Sequence, residues 1–200
     1  MSYQLIDADL PSCKGACPKV IFASGTIGQN EYLQFASFIE EASKKVKLSS
    51  LLLIESPGGF RGGAAGLGVL LRKTKMKVMV GRPTGAVVTA TSGLTGATCA
   101  SACVLVLAGG VSRSYVPGSR IGVHRSHTGQ DVLDPITRQK VNGTVNHDAN
   151  VDQHTQFFKL MGIDPALAQV INATPAETMR WLNADELKRY RVTTAAPSTR

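Results

Sequence analysis

The sequence predicts an α/β domain with a largely parallel sheet flanked by helices. Strand-like runs alternate with segments of helical period through the first half of the chain, the order produced when crossover helices join parallel strands. One run, Leu48 to Glu55, is almost continuously apolar, as a strand buried on both faces must be. At 200 residues and 43% hydrophobic, the chain suits one core that buries roughly 70% of the surface its unfolded form exposes.

Lys19 to Ile27 is a β-branched run closed by Gly and Thr and reads as a strand. Asn30 to Lys45 spaces Leu33, Phe35, Ala36, Phe38, Ile39 and Ala42 near 3.6 residues, the period of an amphipathic helix. After Leu48 to Glu55 comes the turn Ser56-Pro57-Gly58-Gly59, then a helix over Gly62 to Leu71 and a strand over Lys77 to Gly81. Pro83 to Gly96, rich in Gly and Thr, reads as a loop. Cys99 to Leu107 has the composition of a buried helix, and Ser114 to Val116 and Arg120 to His124 read as strands around Pro117-Gly118. Val145 to Met161 and Pro165 to Ile171 are expected to be helical. Thr178 to Tyr190 is expected to turn Met179, Trp181, Leu182 and Leu187 toward the core. No repeat or linker divides the chain, so residues 1–192 are expected to form a single domain and 193–200 a disordered tail. Gly129 to Asn146 lacks a period and is the expected flexible insertion or lid.

The net charge of +8 raises the question of nucleic acid. No basic stripe interleaved with aromatics accompanies it, and the densest basic runs, Lys44 to Lys47 and Arg72 to Lys77, fall at helix-to-strand connections, so they read as solvated loops and no nucleic-acid partner is expected. No window reaches the 18 or so apolar residues of a membrane span. Met1 to Pro11 mixes Asp7 and Asp9 with apolar residues and does not read as a secretion signal, which implies a cytoplasmic protein if Met1 is the true start and an extracytoplasmic one if a signal segment was removed. Cys13 with Cys17 and Cys99 with Cys103 share one spacing. Two C-x3-C pairs match a zinc site poorly, and Cys99 and Cys103 are expected as buried free thiols, since a disulfide would imply an oxidising compartment. His124 and His127 lack a third ligand at a suitable spacing. No metal or cofactor is implied.

Acyl transfer needs an activated nucleophile, a base in hydrogen-bond reach, and donors where the oxyanion forms. Ser101 opens a buried helix just after a loop, where unpaired amides favour developing negative charge, although a serine there is more often a cap. Gly58-Gly59 follows a buried strand, and glycine lets a backbone amide face a neighbouring site, although Ser-Pro-Gly-Gly is also an ordinary turn. His124 ends an apolar strand at the edge where loops gather, a place structural histidines also occupy. Together, within one window of the chain, the three point to a serine hydrolase.

These segments resemble the Clp protease proteolytic subunit within the Clp protease and crotonase superfamily. The resemblance rests on Ile54-Glu55-Ser56-Pro57-Gly58-Gly59, on Ala100-Ser101-Ala102 before Val104 to Gly109, on Pro117-Gly118-Ser119-Arg120-Ile121-Gly122-Val123-His124, and on Trp181 to Tyr190. It implies a Clp protease/crotonase-like fold, Ser101 as nucleophile, His124 as general base, the Gly59 and Ala102 amides as oxyanion donors, a peptide or protein substrate cleaved through an acyl-enzyme, and a homo-oligomer. The sequence departs from the family at Glu55, where an Asn is usual, and at Met179, which holds the place of the third, acidic triad member. Glu177 is the first substitute for that carboxylate, then Asp152, then Asp148. The related signal peptide peptidases use a serine and a lysine, which would make Lys140 or Lys159 the base. The cysteines resemble a branch of predicted extracytoplasmic relatives, which implies a bond from Cys13 or Cys17 to Cys99 or Cys103. Alternative functions are a catalytically weak or inactive scaffold of the same fold and a crotonase-like acyl-CoA enzyme.

Overall fold

A computed structural model describes residues 1–9, 13, 17–89, 92–126, 132–133, 140–141 and 147–194. The chain begins with β1 (Ser2–Asp9), β2 (Lys19–Ser24), α1 (Glu31–Ser43), β3 (Leu48–Glu55), α2 (Arg61–Lys73) and β4 (Lys77–Val80). Short strands β5 (Arg82–Pro83), β6 (Val87–Thr89) and β7 (Leu94–Thr95) precede β8 (Thr98–Ala100), α3 (Cys103–Gly109), β9 (Arg113–Tyr115) and β10 (Arg120–Val123). The remainder comprises β11 (Val132–Leu133), β12 (Lys140–Val141), α4 (His147–Met161), α5 (Leu167–Ala173), β13 (Arg180–Trp181) and α6 (Ala184–Arg189).

The main sheet runs β6-β1-β2-β3-β4-β9, parallel throughout except where β1 meets β2. Its alternation sorts β3 cleanly, because successive side chains point to opposite faces. Leu52 and Ile54 join Leu67, Val78 and the helical core on one side, whereas Leu53 meets Ile6, Val20, Phe22 and Val88 on the other. A second sheet, β13-β10-β8, is parallel between β8 and β10 and antiparallel between β10 and β13. Ser56 stitches the two sheets together: its amide donates to Thr98 O (2.8 Å) and its carbonyl accepts from Ala100 N (3.0 Å).

Five sequence expectations change. Pro83 to Gly96, expected as a loop, carries the short strands β6 and β7. β1 is an additional strand whose pattern gives way to Asp7 and Asp9 at one end. Cys99 to Leu107 is a strand, a two-residue elbow and a helix, since its small apolar residues carry no period that separates the two states. Trp181 is 37% exposed instead of buried, and the Arg120 guanidinium lies 3.9 Å from its ring centroid. The cysteines bond within each pair, Cys13 to Cys17 and Cys99 to Cys103, so Cys99 and Cys103 are not thiols and no bond joins the two pairs. Most of Gly129 to Asn146, the expected lid, lies outside the described residues, as do 195–200.

Thr194, expected in a disordered tail, is held through Arg113. The Arg113 backbone exchanges hydrogen bonds with Thr194, and its guanidinium, 2% exposed, donates to the carbonyls of Val192, Gly110, Met161 and Arg191. Burial, with help from Arg72 and Arg191, pushes this group down to about 10, still charged at neutral pH. Arg113→Met is expected to lower unfolding free energy by about 3 kcal/mol, read as a shifted urea midpoint at constant slope, because buried carbonyls lose a charged donor.

Glu31 opens α1 fully buried. Burial alone would raise its carboxyl, but hydrogen bonds from Tyr3 Oη, the Gly28 amide and the Met1 ammonium hold it below its ordinary 4.5. A carboxyl lowered in the folded state contributes stability above its unfolded value, and that contribution is lost as pH falls through the folded one. The thermal midpoint is therefore expected to drop as pH is taken from about 5 toward 3, and Glu31→Gln is expected to flatten that dependence in calorimetry.

Candidate active site

The chain leaves β8 at Ala100 and enters α3 at Cys103, turning in between on Ser101. Ser101 adopts φ +58°, a left-handed conformation that costs an L-residue roughly 1–2 kcal/mol. Its amide donates to Gly122 O (2.9 Å) and its carbonyl accepts from Val104 N (3.1 Å), which fastens the elbow to β10 on one side and to α3 on the other. The Cys99–Cys103 disulfide spans the same elbow, with both cysteines fully buried. The Ser101 side chain is thereby pushed out at the sheet's carboxyl end.

His124 follows β10, the strand that pairs with β8, so sheet register brings it to Ser101. Its Nε2 lies 2.7 Å from Ser101 Oγ, and its Nδ1 lies 2.8 Å from the Ala176 carbonyl oxygen. A carbonyl can only accept, so Nδ1 carries the proton and Nε2 is left to accept from the serine hydroxyl. Arg125 N to Thr174 O (3.0 Å) ties the same two segments together.

Nδ1 is thus met by a backbone carbonyl. Glu177, the next residue, is exposed, and so is Asp152 on α4. Asp148 falls in α4, but its side chain lies outside the described residues, as does that of Lys140 in β12. Lys159 is exposed in the last turn of α4, and His127 lies outside the described residues. Sequence reading passed over Ala176 because a carbonyl acceptor leaves no residue-type signal.

The turn at Gly58 lies against the Ser101 elbow. The Gly58 carbonyl accepts from Ile27 N (2.8 Å), and in a trans peptide the attached Gly59 N–H points the opposite way, toward the edge where Ser56 pairs with the Ser101 segment. The Ser101 carbonyl aims into α3, so the Ala102 N–H points back out of the helix start. Neither amide has an acceptor among the described residues. Gly58 adopts φ +104°, and a Cβ there would stand 2.8 Å from Ser101 Cβ, 2.8 Å from Ala100 O and 3.1 Å from Ala102 N. Buried Ser56 pins this turn, donating from Oγ to Gly25 O (2.7 Å) and accepting from Gly58 N (3.1 Å). Glu55, beside it, pairs with Arg82 at 3.4 Å.

All four cysteines are engaged in disulfides, and among the described residues no group of three His, Cys, Asp or Glu gathers as a metal site. No helix among them is long and apolar enough to cross a membrane. No family model matches the chain, and no curated protein matches it. Solved structures similar to it include two of one protease. One is the 1510-N membrane-bound stomatin-specific protease as a serine-to-alanine mutant, 16% identical, covering 96% of this chain and 80% of that one at a TM-score of 0.55. The other is a lysine-to-alanine mutant of that protease in complex with a substrate peptide, 17% identical, covering 96% and 76% at a TM-score of 0.59. The expected fold is borne out: a mixed α/β, Clp protease-like architecture with a mainly parallel sheet flanked by helices.

Proposed function

We propose that this chain, with its Clp protease-like fold, is a serine peptidase acting through an acyl-enzyme. The observation that carries the reading is the 2.7 Å contact between Ser101 Oγ and His124 Nε2, the ring nitrogen that accepts when Nδ1 donates to Ala176 O. In the first half-reaction His124 takes that proton as Ser101 Oγ attacks the acyl carbon, and the Gly59 and Ala102 amides hold the oxyanion. The imidazolium then returns the proton to the leaving amine. In the second half, water attacks the acyl-serine with His124 again as base, which releases the acid and restores the hydroxyl.

The Ala176 carbonyl fixes the tautomer that leaves Nε2 as the acceptor. Met179, standing where the resembled family carries its acidic triad member, favours as the second reading a catalytically weak member that serves as a scaffold. The substrate peptide bound by the similar protease supports a peptide or protein substrate here. A homo-oligomer is proposed from the family resemblance. Two disulfides closed over five-residue segments support folding in an oxidising compartment.

The experiment is labelling by a fluorophosphonate, which reacts only with an activated serine. We expect covalent labelling of the wild-type protein and none of Ser101→Ala. An unlabelled wild type that is correctly folded by circular dichroism would remove the peptidase reading and leave the scaffold.

A further inference from the structure

Parallel strands send their carboxyl ends to one pole of the domain and their amino ends to the other. Ser56 to Gly59, Ser101 and His124 all follow strand ends and so occupy the first pole. The second is built from the helix-to-strand connections. Lys45 and Lys47 lie between α1 and β3, Lys73 ends α2, Lys75 and Lys77 lead into β4, and Lys159 lies in the last turn of α4. All are exposed.

Pairing gathers these lysines into one patch. β3 and β4 are neighbours, with Leu51 opposite Lys77, and Val111 N donates to Met76 O (2.9 Å). The Arg113 guanidinium takes both Gly110 O and Met161 O at 3.1 Å, which draws the end of α4 against the segment before β9. Among the described residues none of the six lysines has an ion-pair partner, and the nearby Glu40 and Glu41 are both engaged by Lys44. Two aliphatic side chains stand in the same patch, Val111 at 39% exposed and Leu160 at 69%.

We propose that this pole docks peripherally on an anionic lipid surface. Flexible ammonium groups meet a layer of phosphate and carboxylate headgroups without a demand for fixed geometry, and exposed aliphatic groups between them gain by entering the boundary with the acyl chains. Nucleic acid fits less well, since among the described residues the patch offers no exposed aromatic for a base to stack on. The exposed Tyr32 and Phe60 lie at the starts of α1 and α2, and the exposed Trp181 pairs with Gly122 near the carboxyl end of β10, all toward the other pole. Docked in this way, the protein turns Ser101 away from the membrane.

The test is sedimentation of the full chain with vesicles of phosphatidylcholine, alone or with about a third phosphatidylserine. Binding is expected only to the anionic vesicles, weakening as salt rises from about 0.05 to 0.3 M. The triple variant Lys73→Glu, Lys75→Glu, Lys77→Glu is expected to lose affinity by about tenfold or more, and Leu160→Ser to lose less while keeping the salt dependence. Circular dichroism checks folding, and if the triple variant does not fold, Lys45→Glu with Lys47→Glu, on a separate connection, carries the same expectation. Equal binding to neutral vesicles, undiminished binding by the folded reversal variant, or tighter capture by a single-stranded RNA oligonucleotide than by anionic vesicles would each overturn the proposal.

Discussion

Replacing His124 with Ala is expected to lower turnover of an activated ester or fluorogenic peptide by about four to six orders of magnitude. The size follows from the roles of its two nitrogens. Nε2 alone is placed to take the Ser101 proton, and no lysine among the described side chains is brought to Ser101 Oγ as a substitute base. His124 is only half-buried at a strand end, so its removal opens the site to water without hollowing the core, and the thermal midpoint should move little. A matched Glu177→Gln should leave turnover about unchanged, because the Ala176 carbonyl and not that exposed carboxylate holds Nδ1. If His124→Ala kept most of the activity, the proton would have to leave Ser101 by another route, and a large loss in Glu177→Gln would show that its side chain swings in during turnover.

Gly58→Val is expected to fall next in severity, with loss of turnover by about two to three orders of magnitude, the range for loss of one oxyanion donor. The new Cβ would press on Ser101 Cβ and Ala100 O, both 2.8 Å away, and Gly58 already sits at φ +104°, where a β-branched residue is strained. Relief must come from moving the turn, and the Gly59 amide moves with it. Stability should decline as well, by about 1–3 kcal/mol from the backbone conformation alone. The rate of fluorophosphonate labelling, compared with the urea midpoint, separates the two effects. A variant destabilised but labelled at the wild-type rate would mean that the Gly59 amide has no part in the chemistry.

Much of this architecture was legible because it is written in patterns that physics enforces locally. β3 was bounded to the residue by its apolar run, and α1 to within two residues by its period. Ser101, His124 and the glycine turn were legible by their order, each at the end of a strand, and the geometry brings Ser101 and His124 to 2.7 Å. What could not be read depends on the backbone. The Ala176 carbonyl has no side-chain signature, and the β8 elbow hides in a run of small residues whose break shows only as a positive φ at Ser101. The cysteine pairing was equally obscure: spacing of four is open to several partnerships, and only the approach of Cys99 and Cys103 to a Cα separation of 5.3 Å selects one.

That cystine also sets an order of events. Both of its residues have no solvent exposure, so neither oxidant nor reductant reaches the sulfurs once the two sheets have closed around them. The bond must therefore be made while the segment is still open, during folding itself, and the finished protein then carries the redox history of its birthplace. A chain that folded under reducing conditions would remain a different molecule from its oxidised twin wherever it was later sent, with the turn beneath its serine held by hydrogen bonds alone.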